Sequence, residues 1–118
     1  MSIRQMRGEN AEKIACEFLL SKGLKLVEKN FRVKGGEIDL IMLEKSTLVF
    51  VEVRLRSKNN FGGAAASVDF KKQRRIILAA KNYLMTLKNI PECRFDCVVF
   101  EGDSAPVWIK GAFDSDGF

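Results

Sequence analysis

The sequence predicts a single α/β domain, with a mixed central β-sheet flanked by helices in the order helix, three strands, helix, one or two strands. Three observations carry that reading. Stretches 9–22 and 68–89 repeat apolar residues at helical spacing. The runs between and after them are short, rich in β-branched and aromatic residues, and bounded by glycine or polar turns. A chain of 118 residues with 47% hydrophobic content has the material for one core without disulfide or metal staples.

In the first helix, Glu9 to Lys22, the stripe is Ala11, Ile14, Ala15, Phe18 and Leu19, and Gly23 stands where a helix C-terminus favours glycine. Leu24 to Phe31 reads as a strand. Lys34-Gly35-Gly36 then signals a turn into a second strand, Glu37 to Leu43, so the two form a hairpin. Glu44-Lys45-Ser46-Thr47 makes a tight connection to Leu48–Leu55. Leu48-Val49-Phe50-Val51 shows no alternation, which predicts a central strand covered on both faces. Residues 56–67 are a polar, glycine-containing loop. The long second helix, Val68 to about Asn89, carries Ile76, Ile77, Ala80, Tyr83, Leu84 and Leu87 as its buried stripe, with Pro91 beyond its end and Asp69 near its start as a cap. Arg94 to Glu101 is a further strand and Ala105 to Ile109 a candidate last one. Residues from about 111 to 118 are expected to fray.

Composition narrows the chemistry. The chain has no histidine, which removes Ser-His-Asp and Cys-His nucleophile systems and the commonest transition-metal ligand. Catalysis, if present, must run on carboxylates, lysine or arginine. Cys16, Cys93 and Cys97 are an odd set without a C-x-x-C pair, which argues for reduced thiols and against zinc. No apolar run approaches the ~20 residues of a membrane span, and no leader follows Met1, so a cytoplasmic protein is expected. The formal charge is +5, and it is unevenly spread. Residues 101–118 are acidic, whereas Arg54, Arg56, Lys58, Lys71, Lys72, Arg74 and Arg75 gather against Asp69 alone. Such a cluster is the electrostatic footprint of a polyanion binder.

Three acids stand out by position. Strict alternation in the second strand puts Glu37, Asp39, Ile41 and Leu43 on one face and Ile38, Leu40 and Met42 on the other, so Asp39 sits among apolar neighbours. In the third strand Leu48, Phe50, Glu52, Arg54 and Arg56 share a face, and Glu52 interrupts an otherwise apolar run. A buried carboxylate is costly unless a cation meets it. Glu12 falls inside the apolar arc of the first helix. Convergence of Glu12, Asp39 and Glu52 with Arg54 would make a hard-cation site of oxygen ligands and water. Taken singly, the same residues also read as a Glu52–Arg54 pair, a turn-accepting Asp39 and a solvated basic helix face.

The segments Gly8-x-x-Ala11-Glu12-x-x-Ala15, Asn30-Phe31-Arg32, Gly35-Gly36-Glu37-Ile38-Asp39-Leu40-Ile41, Leu48-Val49-Phe50-Val51-Glu52-Val53-Arg54 and Phe95-Asp96-Cys97-Val98-Val99 resemble the YraN-like family of small bacterial proteins. That family comprises predicted endonucleases similar to archaeal Holliday-junction resolvases of the PD-(D/E)xK nuclease superfamily. The likeness covers nearly the whole chain. It implies a restriction-endonuclease-like fold, a Mg²⁺ or Mn²⁺ ion held by Asp39, Glu52 and the Val53 carbonyl, and catalytic roles for Glu12 and Arg54. Arg56, Lys58, Lys71, Lys72, Arg74 and Arg75 would grip nucleic acid, expected to be DNA and branched or structured, and the resolvase likeness suggests a homodimer. Two departures matter. Ala11 replaces a glycine, a mild change in a helix. Arg54 replaces the motif lysine, and arginine stays protonated and can stabilise negative charge only. A second reading follows from Arg54: a nucleic-acid-binding module on a nuclease fold whose catalysis is weakened or lost. A protein-interaction role for the basic face is a third.

Overall fold

The computed structural model describes residues 8–56, 68–102 and 105–115. Along the chain they form α1 (Gly8–Ser21), β1 (Lys25–Val33), β2 (Gly36–Glu44), β3 (Thr47–Arg56), α2 (Phe70–Leu84), β4 (Glu92–Glu101) and β5 (Val107–Phe113). The strands make one sheet in sequential order. β1, β2 and β3 meander antiparallel, β4 lies parallel to β3, and β5 returns antiparallel to β4. The parallel pair follows from the α2 crossover, because a tight hairpin joins only antiparallel strands. The expected α/β class and mixed sheet are therefore what the chain forms. No helix among the described residues is long and apolar enough to cross a membrane.

Each face of the sheet carries one helix and its own core. Ala11, Ala15, Cys16 and Leu19 of α1 pack with Leu40, Met42, Val49, Val51, Val98 and Phe100. Ile76, Ile77, Ala79 and Ala80 of α2 pack on the other face with Ile38, Ile41, Leu48, Phe50, Cys97 and Val99. β3 sends alternate residues into both cores, which is why its sequence shows no polar alternation. Phe50 is 1% exposed and lies against Tyr83 and Phe95, so truncation to alanine would cost about 3–5 kcal/mol.

Local chemistry sets the element ends. Gly23 has φ +97°, and the Leu24 N–H turns back to the Leu19 carbonyl at 3.2 Å, which closes α1. Asp69 caps α2 by accepting the Lys72 N–H at 2.8 Å. α2 stops at Leu84, short of the expected Asn89, because tighter turns follow: Thr86 donates through both its N–H and its hydroxyl to the Tyr83 carbonyl. β5 lies at Val107–Phe113 rather than Ala105–Ile109, so residues 111–113 are not part of a frayed tail. They are held because Gly111 N–H donates to Asp96 at 3.0 Å and Phe113 stacks on Phe95 at 5.0 Å.

Candidate functional site

β2 and β3 pair from Glu44 and Thr47 as far as Leu40 and Val51, and there they part. β2 continues beside β1 alone, while β3 continues beside β4 to Arg56. Asp39 and Glu52 are the first residues past the last pair, one on each arm of this fork. The Asp39 carboxylate replaces a ladder partner: its Oδ2 accepts the Val53 N–H at 2.8 Å. A backbone donor that would otherwise face the open fork is thereby satisfied.

The parting also changes which way β2 faces. Leu40 and Met42 do share the α1 core, but Ile38 joins Ile41 in the α2 core, so the strict alternation expected for this strand fails. The strand turns where it leaves β3. Both faces of the sheet thus open onto the fork. Glu12 enters from α1 beside Asp39 and Asn30. Lys72 enters from the first turn of α2, its Nζ 3.4 Å from Glu52 Oε2 and 3.7 Å from Glu37 Oε1. Glu12, Asp39, Glu52, Val53, Arg54 and Lys72 line a cleft of about 160 Å³.

The electrostatics of this cleft are those of crowded acids short of positive charge. The Glu52 side chain is 5% exposed. Its burial, and then the Asp39 carboxylate beside it, push its pKa up to about 9 despite the opposing pull of Lys72. Burial first and Asp39 second also raise Glu12, whereas Asn30 and Arg32 lower it. Burial and Asp39 thus favour the protonated form of Glu52, and the Lys72 ammonium opposes them.

Four acidic and basic side chains expected at one site, Glu12, Asp39, Glu52 and Arg54, do line one cleft, with Val53 beside them. The Glu52–Arg54 pair is not the arrangement found, since the lysine of α2 takes Glu52 instead. Arg54 Nε is buried without a hydrogen-bond partner among the described residues. The basic cluster divides. Lys71, Arg74 and Arg75 are exposed and line a second cleft of about 280 Å³ with Gly35 and Leu78. Arg56 does not join them: it is buried, 7% exposed, with Nε 3.8 Å from Glu101, its register partner on β4. Lys58 lies outside the described residues.

Within the basic run the structure sets Lys72 apart, in the acidic cleft, and adds Glu37 and Asn30 to its surroundings. A signal for Lys72 exists in the sequence. The buried stripe Ala80, Ala79 and Ile76, carried back four residues, lands on Lys72. A second acid, Asp96, is wholly buried but serves the fold: it accepts from Arg94 twice, from Trp108 Nε1 and from Gly111 N–H.

Fold and cleft together define a class, a sheet sandwiched by one helix on each face, with carboxylates from three elements gathered where two strands part. The particular family follows from sequence: residues 11–100 match the model of the uncharacterised protein family UPF0102, and the chain belongs to that family. A UPF0102 protein of Cupriavidus taiwanensis is 54% identical over 114 residues, covering 96% of this chain and 86% of the relative. One of Dechloromonas aromatica is 52% identical, covering 93% and 90%. One of Nitrosospira multiformis is 47% identical over 97% of both chains.

Proposed function

We propose that this protein is a divalent-metal-dependent nuclease that hydrolyses phosphodiester bonds in DNA. The observation that supports it best is the fork, where the Asp39 and Glu52 carboxylates line one cleft with Glu12 although each would repel the others if ionised. The resemblance to YraN-like predicted endonucleases adds the motif identity of the same residues. Among the described residues no three Cys, Asp or Glu side chains form a ready-made metal cage. Mg²⁺ or Mn²⁺ is commonly bound by one or two carboxylates and completed by water and substrate phosphate. Asp39 and Glu52 would hold it, with the Val53 carbonyl as a third oxygen.

When bound, such an ion polarises the scissile phosphate and makes water a better nucleophile. The chain's own residues do the rest. Glu12 holds the attacking water through a carboxylate oxygen and takes up its proton, as its raised pKa favours. The water oxygen bonds to phosphorus, one ester P–O bond breaks, and the leaving oxygen takes a proton from solvent. Arg54, whose buried Nε has no hydrogen-bond partner among the described residues, offsets charge on the phosphoryl oxygens. Lys71, Arg74 and Arg75 hold the phosphate backbone alongside without reading bases.

The test is incubation of the full chain with labelled four-way junction, flap and single-stranded DNA in Mg²⁺ or Mn²⁺. Cleavage products are expected, with branched DNA preferred if the resolvase likeness extends to substrate. Binding with no product at any protein excess would overturn the nuclease reading and leave the binding module that Arg54 favours. The combination of Asp39→Asn and Glu52→Gln should abolish Mn²⁺ binding by calorimetry.

A further inference from the structure

We propose that Lys72 is the catalytic ammonium of this cleft: it balances Glu52 while no other cation does so, and it bears on the oxygens of the scissile phosphate once another cation takes over that carboxylate. The proposal rests on the nuclease reading and supplies the basic group that β3 lacks.

Position on α2 separates Lys72 from its basic neighbours. At about 100° per residue, Lys71, Arg74 and Arg75 occupy one arc of about 100°, and Lys72 falls some 60° beyond it. It lies instead in line with Ile76, Ala79 and Ala80, the stripe that packs on the sheet. A lysine at the head of a core-facing stripe is unfavourable unless an acid meets it. Glu52 is that acid, at 3.4 Å, with Glu37 also near, at 3.7 Å. Of the basic residues in this run, Lys72 is the one that lines the acidic cleft, while the other three line the cleft beyond Gly35.

The residue is also built to act at a fixed place. Its own N–H is held by Asp69 at 2.8 Å, which pins its backbone in the first turn of α2. Its side chain is 29% exposed and lies near both the 5%-exposed Glu52 and the 34%-exposed Glu37. Neither carboxylate contact is shorter than 3.4 Å, so the ammonium is attracted but not locked. Arg54 also lines the cleft, but its Nε is buried, whereas the Lys72 side chain is 29% exposed. No bond to Lys72 forms or breaks; its part is charge stabilisation of the phosphoryl oxygens and orientation of the water.

The experiment compares the unaltered full chain with Lys72→Met and Arg54→Met by three readouts: single-turnover cleavage of labelled DNA, DNA affinity in Ca²⁺, and Mn²⁺ affinity by calorimetry without DNA. Lys72→Met is expected to cleave at least 100-fold more slowly, to bind DNA within threefold of the unaltered protein, and to bind Mn²⁺ three- to tenfold more tightly, since one competing charge is gone. Arg54→Met should lose less than tenfold in cleavage. Cleavage by Lys72→Met within threefold of the unaltered rate, or Mn²⁺ affinity unchanged or weakened, would overturn the proposal and reduce Lys72 to a structural partner of Glu52. Should Lys72→Met fail to fold, Lys72→Gln with the same readouts decides. If the unaltered protein cleaves no DNA, the nuclease reading and the catalytic half of this proposal fall together, while the Mn²⁺ comparison still decides whether Lys72 is the counter-charge of Glu52.

Discussion

Glu52 makes the folded protein behave against the usual rule for carboxylates. An ordinary salt-bridged acid has a lowered pKa and stabilises the fold above its titration. Glu52 is raised from 4.5 to about 9, so between those values the folded chain holds a proton that the unfolded chain has released. Folding then takes up a proton, and stability contributed at this site falls as pH rises through that window. Glu52→Gln should flatten the slope and raise stability at pH 8, on the order of 1–3 kcal/mol. Thermal unfolding in chelator at several pH values checks this; a slope unchanged by the substitution contradicts it. The same raised pKa predicts that Mn²⁺ binding at pH 7 releases protons, measurable by calorimetry in buffers of different ionisation enthalpy. At this scale the acids of the site were legible because each is a lone carboxylate in an apolar run or arc. The place of Lys72 was not, because it stands in a run of cations whose members face different ways, and neither was the burial of Arg56, whose acid lies 45 residues on, across a parallel strand pair.

At the scale of elements, two contacts decide how the fork is held. Gly36 opens β2 where the β1–β2 turn meets α2, and a Cβ there would lie 2.4 Å from the Arg75 carbonyl and 3.1 Å from Ala79 N. Both are backbone atoms of a helix, which cannot yield as a side-chain tip can. Gly36→Ala should therefore cost about 1–3 kcal/mol in urea unfolding and also slow any cleavage, by pushing α2 and Lys72 away from Glu52. Asp96 does the corresponding work for β5. Arg94, Trp108 and Gly111 all donate to its carboxylate, and Arg94 also reaches Glu44, which holds Glu44 below the usual carboxylate range. Asp96→Ala should destabilise by about 2–4 kcal/mol, since it leaves the Trp108 and Gly111 donors without their acceptor and Arg94 with Glu44 alone. Local signals foretold the core of each element: the unbroken apolar run of β3, Gly23 after α1, Asp69 before α2. Ends set by tertiary contacts were not so readable. β5 extends to Phe113 because Asp96 and Phe95 hold it there, and the parting of β2 from β3 has no mark in the sequence beyond Asp39 itself.

Over the whole molecule, the net charge of +5 resolves into distinct parts. Arg56 is spent on Glu101 inside the protein, Lys72 on Glu52, and Arg94 with Lys110 on Glu44. Lys71, Arg74 and Arg75 remain exposed around one cleft, beside the acidic one and linked to it through Glu37, which both Lys72 and Arg75 approach. Phosphate contacts release condensed counterions, and each contributes about 0.9 to the slope of log affinity against log salt on duplex DNA. If this face is the proposed DNA surface, the double substitution Lys71→Ala with Arg74→Ala should lower that slope by about 2 and weaken binding similarly for unrelated sequences. Arg56→Ala should leave the slope unchanged while lowering the unfolding temperature, because it removes an internal ion pair rather than a phosphate contact. Titrations of labelled duplex and four-way junction between low and moderate salt give both numbers. A slope that falls with Arg56→Ala but not with the double substitution would mean that DNA, if bound, lies on another face, and the cleft between α2 and the β1–β2 turn would lose its assigned role.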